Sequence, residues 1–155
     1  ARMPKANLIL SDLEKIILTQ LALFKGSNNN VVFEFIPNET AKKKILIDPQ
    51  LFRQALTNLI QNSLDSINEA QIVKKGKILI NTYEERNTLF LIVEDNGPGF
   101  SKDRYSLLNP YVTLRPNGSG LGLSIVKRIV DDHKGKISLE DSPLGGAKII
   151  IELNF

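Results

Sequence analysis

The chain has 155 residues, 42% hydrophobic and 24% charged, with a formal net charge of +3 and no cysteine. That size and balance suit a single globular domain with an ordinary core, and the missing cysteines exclude disulfides, thiolate nucleophiles and zinc-thiolate sites. The basic residues are dispersed in short runs such as Lys42-Lys43-Lys44 and Lys74-Lys75, with no aromatic-interleaved strip, so nucleic acid is not an expected partner.

No apolar run approaches the roughly 18–20 residues of a bilayer span, and ARMPKANL lacks the apolar region and cleavage site of a signal peptide. The chain is expected to be soluble as it stands, including as a piece of a membrane protein.

In chain order, SDLEKIILTQLALFKG is predicted to be an amphipathic helix. Ser11 and Glu14 stand at capping-box spacing, Leu13, Ile16, Ile17, Leu21 and Phe24 form the apolar face, and Gly26 is the stop. VVFEFI and KKILI, on either side of residues 37–43, are predicted strands. Asp48 followed by Pro49 is a helix start, and the apolar positions Leu51, Phe52, Ala55, Leu56, Leu59, Ile60, Leu64 and Ile67 carry that core helix to about Ala70.

KILINTYEE and TLFLIVED form a strand pair joined near Arg86-Asn87. GLSIVKRIVDDH is a third helix, and KISLEDS and AKIIIELNF form a hairpin across Pro143-Leu144-Gly145-Gly146. Strands in hairpin-adjacent pairs between helices predict an α+β fold, with a mixed, mostly antiparallel sheet covered by helices on one face. The stretch from Ser101 to about Asn117 follows neither period and is long for a connection, which predicts a lid.

Three features carry chemistry. On the second helix Asn58 and Asn62 stand four residues apart, with Asp65 about a turn further on, on the face opposite the apolar stripe. Amide oxygens suit magnesium together with water and phosphate oxygens. EDNGPGF ends an apolar strand, where Asp95 can accept from an exocyclic amine while Gly97 and Gly99 leave room for a flat ring. GSGLGLSIV opens the third helix, so its amides form an anion cradle. Neither glycine knot matches the P-loop pattern or a true G-x-G-x-x-G.

In this order the features resemble the catalytic ATP-binding domain of bacterial sensor histidine kinases, in the superfamily shared with gyrase, chaperones and MutL. NLIQNSLDSI is similar to the asparagine box, DNGPGF and GSGLGL to the two glycine boxes, NPY to a reduced phenylalanine box, and GGAKIII to the final glycine element. The surrounding ARMPK and PYVTLRPNGSGLGL are most similar to nitrogen-regulation kinases of the NtrY and NtrB type.

The resemblance implies a two-layer sandwich of three helices on a mixed sheet (the Bergerat-type fold), with ATP and Mg2+ as cofactors. It assigns residues 8–155 to the ATP-binding domain, 101–117 to the ATP lid, and 1–7 to the tail of an upstream dimerisation region. Asn58 and Asn62 would face the phosphates, with Asn62 the metal ligand. Asp95 would hold the adenine amine and Gly97 and Gly99 would shape the base pocket. Gly118, Gly120 and Gly122 would line the phosphates, and Asp65, Thr113, Ser119, Leu121 and Leu123 are counted with them.

Relatives that hydrolyse ATP have a carboxylate where this chain has Asn58. An amide cannot act as a general base, which favours phosphoryl transfer, with Arg115 the candidate lid cation. The acceptor would be a His on a preceding helix outside this chain. His133, the one histidine present, is expected to be a capping or packing residue.

The implied partners are that phosphoacceptor domain and a response regulator, with the parent a homodimer in the bacterial inner membrane and this domain cytoplasmic. Two alternatives remain: a Ser/Thr kinase of the anti-sigma-factor kind, and a non-catalytic nucleotide-binding module.

Overall fold

The computed structural model describes residues 5–37, 44–70, 75–100, 103–109 and 122–154. The first element is a strand not anticipated from the sequence, β1 (Ile9–Ser11), which pairs antiparallel with β3 (Ile45–Ile47) in a two-stranded ribbon. This pairing displaces the expected capping box. Ser11 lies in the ladder opposite Ile45, and its hydroxyl turns back to donate to the Ile9 carbonyl at 2.9 Å. Asp12 therefore caps α1 (Leu13–Lys25), accepting from the Lys15 amide at 3.1 Å. A short acidic side chain outside the ladder is free to satisfy the helix's open amides.

The second helix, α2 (Pro49–Glu69), starts as its sequence predicts. Asp48 Oδ1 accepts from the amides of Gln50 and Leu51 at 3.1 and 3.2 Å, and Pro49 occupies the first turn, where no amide is needed. Its stripe of Phe52, Leu56, Leu59 and Ile60 is fully buried, each side chain contributing about 1.5–3 kcal/mol by leaving water. Against it α1 presents Ile17, Leu21 and the buried Gln20, whose Nε2 donates to Thr57 Oγ1 at 2.8 Å.

The main sheet contains β2 (Val31–Ile36), β4 (Gly76–Glu85), β5 (Thr88–Asp95), β6 (Lys136–Asp141) and β7 (Ala147–Asn154), in the order β2-β4-β5-β7-β6. β2 and β4 are parallel, with α2 in the connection between them. The other pairings are antiparallel, as in a mixed, mostly antiparallel sheet. Arg86 and Asn87, at φ 50° and 62°, make the tight β4–β5 turn, the left-handed pair that a two-residue hairpin requires.

The helices α1, α2 and α3 (Gly122–Asp132) cover one face of the sheet. The core between the layers includes Ile78 and Ile80 of β4, Leu91 and Val93 of β5 and Ile149 and Ile151 of β7. No helix among the described residues is long and apolar enough to cross a membrane.

Candidate nucleotide site

The site forms where α2 passes the C-terminal end of β5 and the start of β7. Asp95 is the last residue of β5 and only 3% exposed. Its Oδ1 accepts from the Gly97 amide at 2.9 Å and from the Ala147 amide at 3.2 Å, so the carboxylate is clamped from two elements. A buried carboxylate needs such donors, because an unpaired charge away from water is costly.

Gly146 makes this clamp possible. A Cβ there would come within 2.5 Å of the Asp95 carbonyl and 2.6 Å of the Gly97 nitrogen, and would also strike Asp95 Oδ1. Gly99 has φ +80°, a conformation that L side chains rarely adopt, and it faces the Gly146 backbone. The knot is tied to the sheet by Asn96, whose Oδ1 accepts from the Lys77 amide at 2.8 Å and whose Nδ2 donates to the Lys75 carbonyl at 3.0 Å.

Across from the knot, α2 presents Asn58, Asn62 and Ser66 at four-residue spacing. All three are half-buried, so this face is not the solvated surface of an ordinary amphipathic helix. Asn58 Nδ2 is buried with no hydrogen-bond partner among the described residues. Such a donor is unfavourable by about 1–3 kcal/mol until something accepts from it, which fits a side chain that waits for a ligand. Asp65 is engaged locally, accepting from Gln61 Nε2 at 2.8 Å along the helix. Ser66 meets the knot directly: a Cβ on Gly97 would lie 2.6 Å from Ser66 Oγ and 3.1 Å from Asp95 Oδ1.

Of the sequence-predicted residues, Asp95, Gly97 and Gly99 form one knot, which Ser66 of α2 meets, and Asn62 and Asn58 lie one and two turns earlier along that helix. Gly122 begins α3 with open space around its α-carbon, while Leu123 is turned into the core at 7% exposure, so its side chain does not line the site. Thr113, Arg115, Gly118, Ser119, Gly120 and Leu121, and the Pro110-Tyr111 part of NPY, lie outside the described residues.

Of the expected lid, residues 103–109 are described and sit on β6. They contain a 3-10 turn (Arg104–Leu108) in which Arg104 pairs with Asp141 at 2.9 Å and Tyr105 Oη accepts from the Leu139 amide at 3.3 Å. Arg104 also lies over the Phe100 ring, 5.6 Å from its centroid.

Sequence reasoning missed Ser66 and the bracing role of Asn96. The first was signalled by the continued four-residue spacing after Asn62, the second by the tendency of Asn in tight turns to bond neighbouring backbone.

Residues 47–155 match the family described as histidine kinase-, DNA gyrase B-, and HSP90-like ATPase. The chain belongs to this family. The matched span of this ATPase-family domain takes in the α2 asparagines, the Asp95 knot and the start of β7.

Among curated relatives, nitrogen regulation protein NtrY of Azorhizobium caulinodans is 36% identical over 99% of this chain and 20% of its own length. This chain therefore spans about a fifth of that relative. Among solved structures, the catalytic domain of histidine kinase ThkA superposes with a TM-score of 0.83 at 26% identity, covering 96% of this chain and 95% of that one. Full-length ShkA in complex with AMPPNP shares the fold at a TM-score of 0.83 and 22% identity, over 99% of this chain and 32% of that one. The fold seen here is thus that of a histidine kinase catalytic domain.

Proposed function

We propose that this domain binds Mg-ATP and serves as the catalytic domain of a sensor histidine kinase. In this reading the γ-phosphoryl group passes to an imidazole nitrogen of a His on an upstream dimerisation helix. The phosphorus–oxygen bond to ADP breaks as the nitrogen–phosphorus bond forms, and the bridging electron pair leaves with ADP.

The observation that carries the reading is the clamped Asp95 carboxylate facing, across the Gly97 knot, a helix that holds an unpaired buried amide donor at Asn58. Asp95 accepts from the adenine amine, and the glycines at 97, 99 and 146 keep the wall thin enough for a flat base. Asn58 Nδ2 donates to a phosphate oxygen.

Among the described residues no group of three or more His, Cys, Asp or Glu could hold a metal ion. The Asn62 side-chain oxygen is the hard ligand this chain would offer a magnesium ion, alongside water and phosphate oxygens. Magnesium, when bound, neutralises charge on the phosphates. With an amide at position 58 there is no carboxylate to activate water, so transfer to a positioned nucleophile is favoured over hydrolysis.

Arg115 supplies a lid cation, Gly118, Gly120 and Gly122 carry cradle amides, and residues 101–117 form the lid. Residues 1–7 lead from the dimerisation helix, and the phosphoryl group finally reaches a response regulator. The parent protein is a homodimer in the bacterial inner membrane with this domain on the cytoplasmic side, in keeping with the similarity to NtrY.

The test is calorimetric titration with a non-hydrolysable ATP analogue, with and without magnesium, and with GTP as control. Selective, magnesium-dependent ATP binding that is lost in Asp95→Asn and weakened in Asn62→Asp is expected. Equal affinity in the wild type and both variants would overturn the site.

A further inference from the structure

The Asp95 carboxylate is not the only polar group at the base end of the site. Ser66 lies one helical turn beyond Asn62, and its Oγ is the atom nearest to where a Gly97 side chain would begin, at 2.6 Å, with Asp95 Oδ1 at 3.1 Å from the same point. The hydroxyl and the carboxylate therefore converge over one α-carbon, and that residue is a glycine.

A mid-helix serine ordinarily satisfies itself by bonding back to the carbonyl one turn earlier. The Ser66 hydroxyl makes no hydrogen bond among the described residues, although the residue is half-buried. Its own carbonyl is used normally, accepting from the Ala70 amide at 3.3 Å.

We propose that Ser66 makes the second polar contact to the 6-amino group of adenine, alongside Asp95. The inference rests on the ATP-binding reading above. An exocyclic amine carries two N–H donors, and one carboxylate oxygen approached from one side takes only one of them. A hydroxyl beside it accepts the other.

A 6-oxo purine offers an oxygen there instead, which the hydroxyl could meet by donating but the carboxylate would repel. Ser66 thus adds affinity for the amino group, while Asp95 supplies the rejection of guanine. Nothing larger than glycine at position 97 would let both groups reach the same edge of the base.

The test is a functional-group cycle by calorimetry, pairing wild type and Ser66→Ala with ATP and with purine riboside triphosphate, which has hydrogen in place of the 6-amino group. Loss of one neutral hydrogen bond, about 1 kcal/mol, predicts ATP binding about fivefold weaker in Ser66→Ala. Binding of the analogue lacking the amine should be unchanged. Equal loss on both nucleotides, or no loss on either, overturns the assignment.

Alanine is a better helix former than serine, so the variant should fold, and a thermal melt checks this. If wild-type protein binds neither nucleotide, or binds both equally, the ATP-site reading itself has failed. If wild type prefers ATP and Ser66→Ala keeps the same preference, only the Ser66 assignment has.

Discussion

The Asp48 amide donates to His133 Nε2 at 2.9 Å, joining the cap of α2 to the residue that follows α3 across 85 positions of sequence. The other ring nitrogen, Nδ1, stands 2.7 Å from the Ile129 carbonyl, so it carries the proton and donates. The ring meets Phe52 edge-on, with centroids 4.7 Å apart. Both nitrogens are thus engaged in the neutral tautomer, and His133 is a brace between two helices without a free lone pair to accept a phosphoryl group.

Removing that brace should cost stability and leave ligand binding intact. His133→Ala strands the Asp48 amide and opens space beside Phe52, for an expected loss of about 2–3 kcal/mol in urea unfolding. ATP affinity by calorimetry should stay at the wild-type value, since His133 is not part of the proposed site.

Asp48 should make the protein acid-sensitive. Burial pushes its pKa up, but three backbone donors, from Asn7, Leu51 and Gln50, outweigh this and hold it below the ordinary carboxylate value. A depressed folded-state pKa contributes stability that is fully present above the unfolded value of about 3.9 and is lost as pH falls through the folded value. Asp48→Asn keeps a capping oxygen and should lose less than the about 0.5–2 kcal/mol of a cap deleted to Ala at pH 7, while showing a flatter stability profile below pH ~4 than wild type. Denaturant titrations from pH 2 to 7 read both.

Gly146→Ala should act on nucleotide binding more than on folding. The added methyl meets the Asp95 carboxylate and the backbone of Asp95 and Gly97, so the clamp must open by moving main chain. An affinity loss of at least about tenfold, or 1.4 kcal/mol, is expected, with a smaller fall in melting temperature. Gly145→Ala is the contrast: its surroundings are open but its φ is +105°, so its cost should be to stability.

Asn58→Leu should separate function from stability. Replacing a buried unpaired amide donor with an apolar group of similar size removes a desolvation penalty of about 1–3 kcal/mol. The apo protein should melt higher while ATP binding falls. A variant that is both less stable and unchanged in affinity would contradict the role given to Asn58.

Much of this fold was legible because periodicity and caps agree along the chain. Asp48-Pro49, the α2 stripe, the Arg86-Asn87 turn and the final hairpin all appear where their residue types demand. What stayed hidden depends on non-local pairing. Ile9–Ser11 is too short to announce itself as a strand, and only its partner Ile45–Ile47 makes it one, which moves the α1 cap from Ser11 to Asp12.

In the site, Asp95, Gly97 and Gly99 could be read from a turn-forming string. The reason for Gly146 could not, because the atoms it must avoid belong to Asp95 and Gly97, at the C-terminal end of β5 and far earlier in sequence. Ser66 escaped for a related reason: its four-residue spacing after Asn62 marks the helix face, but the glycine loop it meets is remote in sequence.

β7 lies between β5 and β6 although it follows both in sequence, and its first residue supplies the second donor to Asp95 from 52 positions downstream. On the ribosome, the Asp95 carboxylate is made long before the strand that steadies it. A nascent chain that stops short of Ala147 has the asparagine helix and the glycine knot but an unsteadied acceptor, and a protease that clips the last strand from the finished protein returns it to that condition. The two-donor clamp on Asp95 is therefore complete only once β7 has been made and has found its slot in the middle of the sheet.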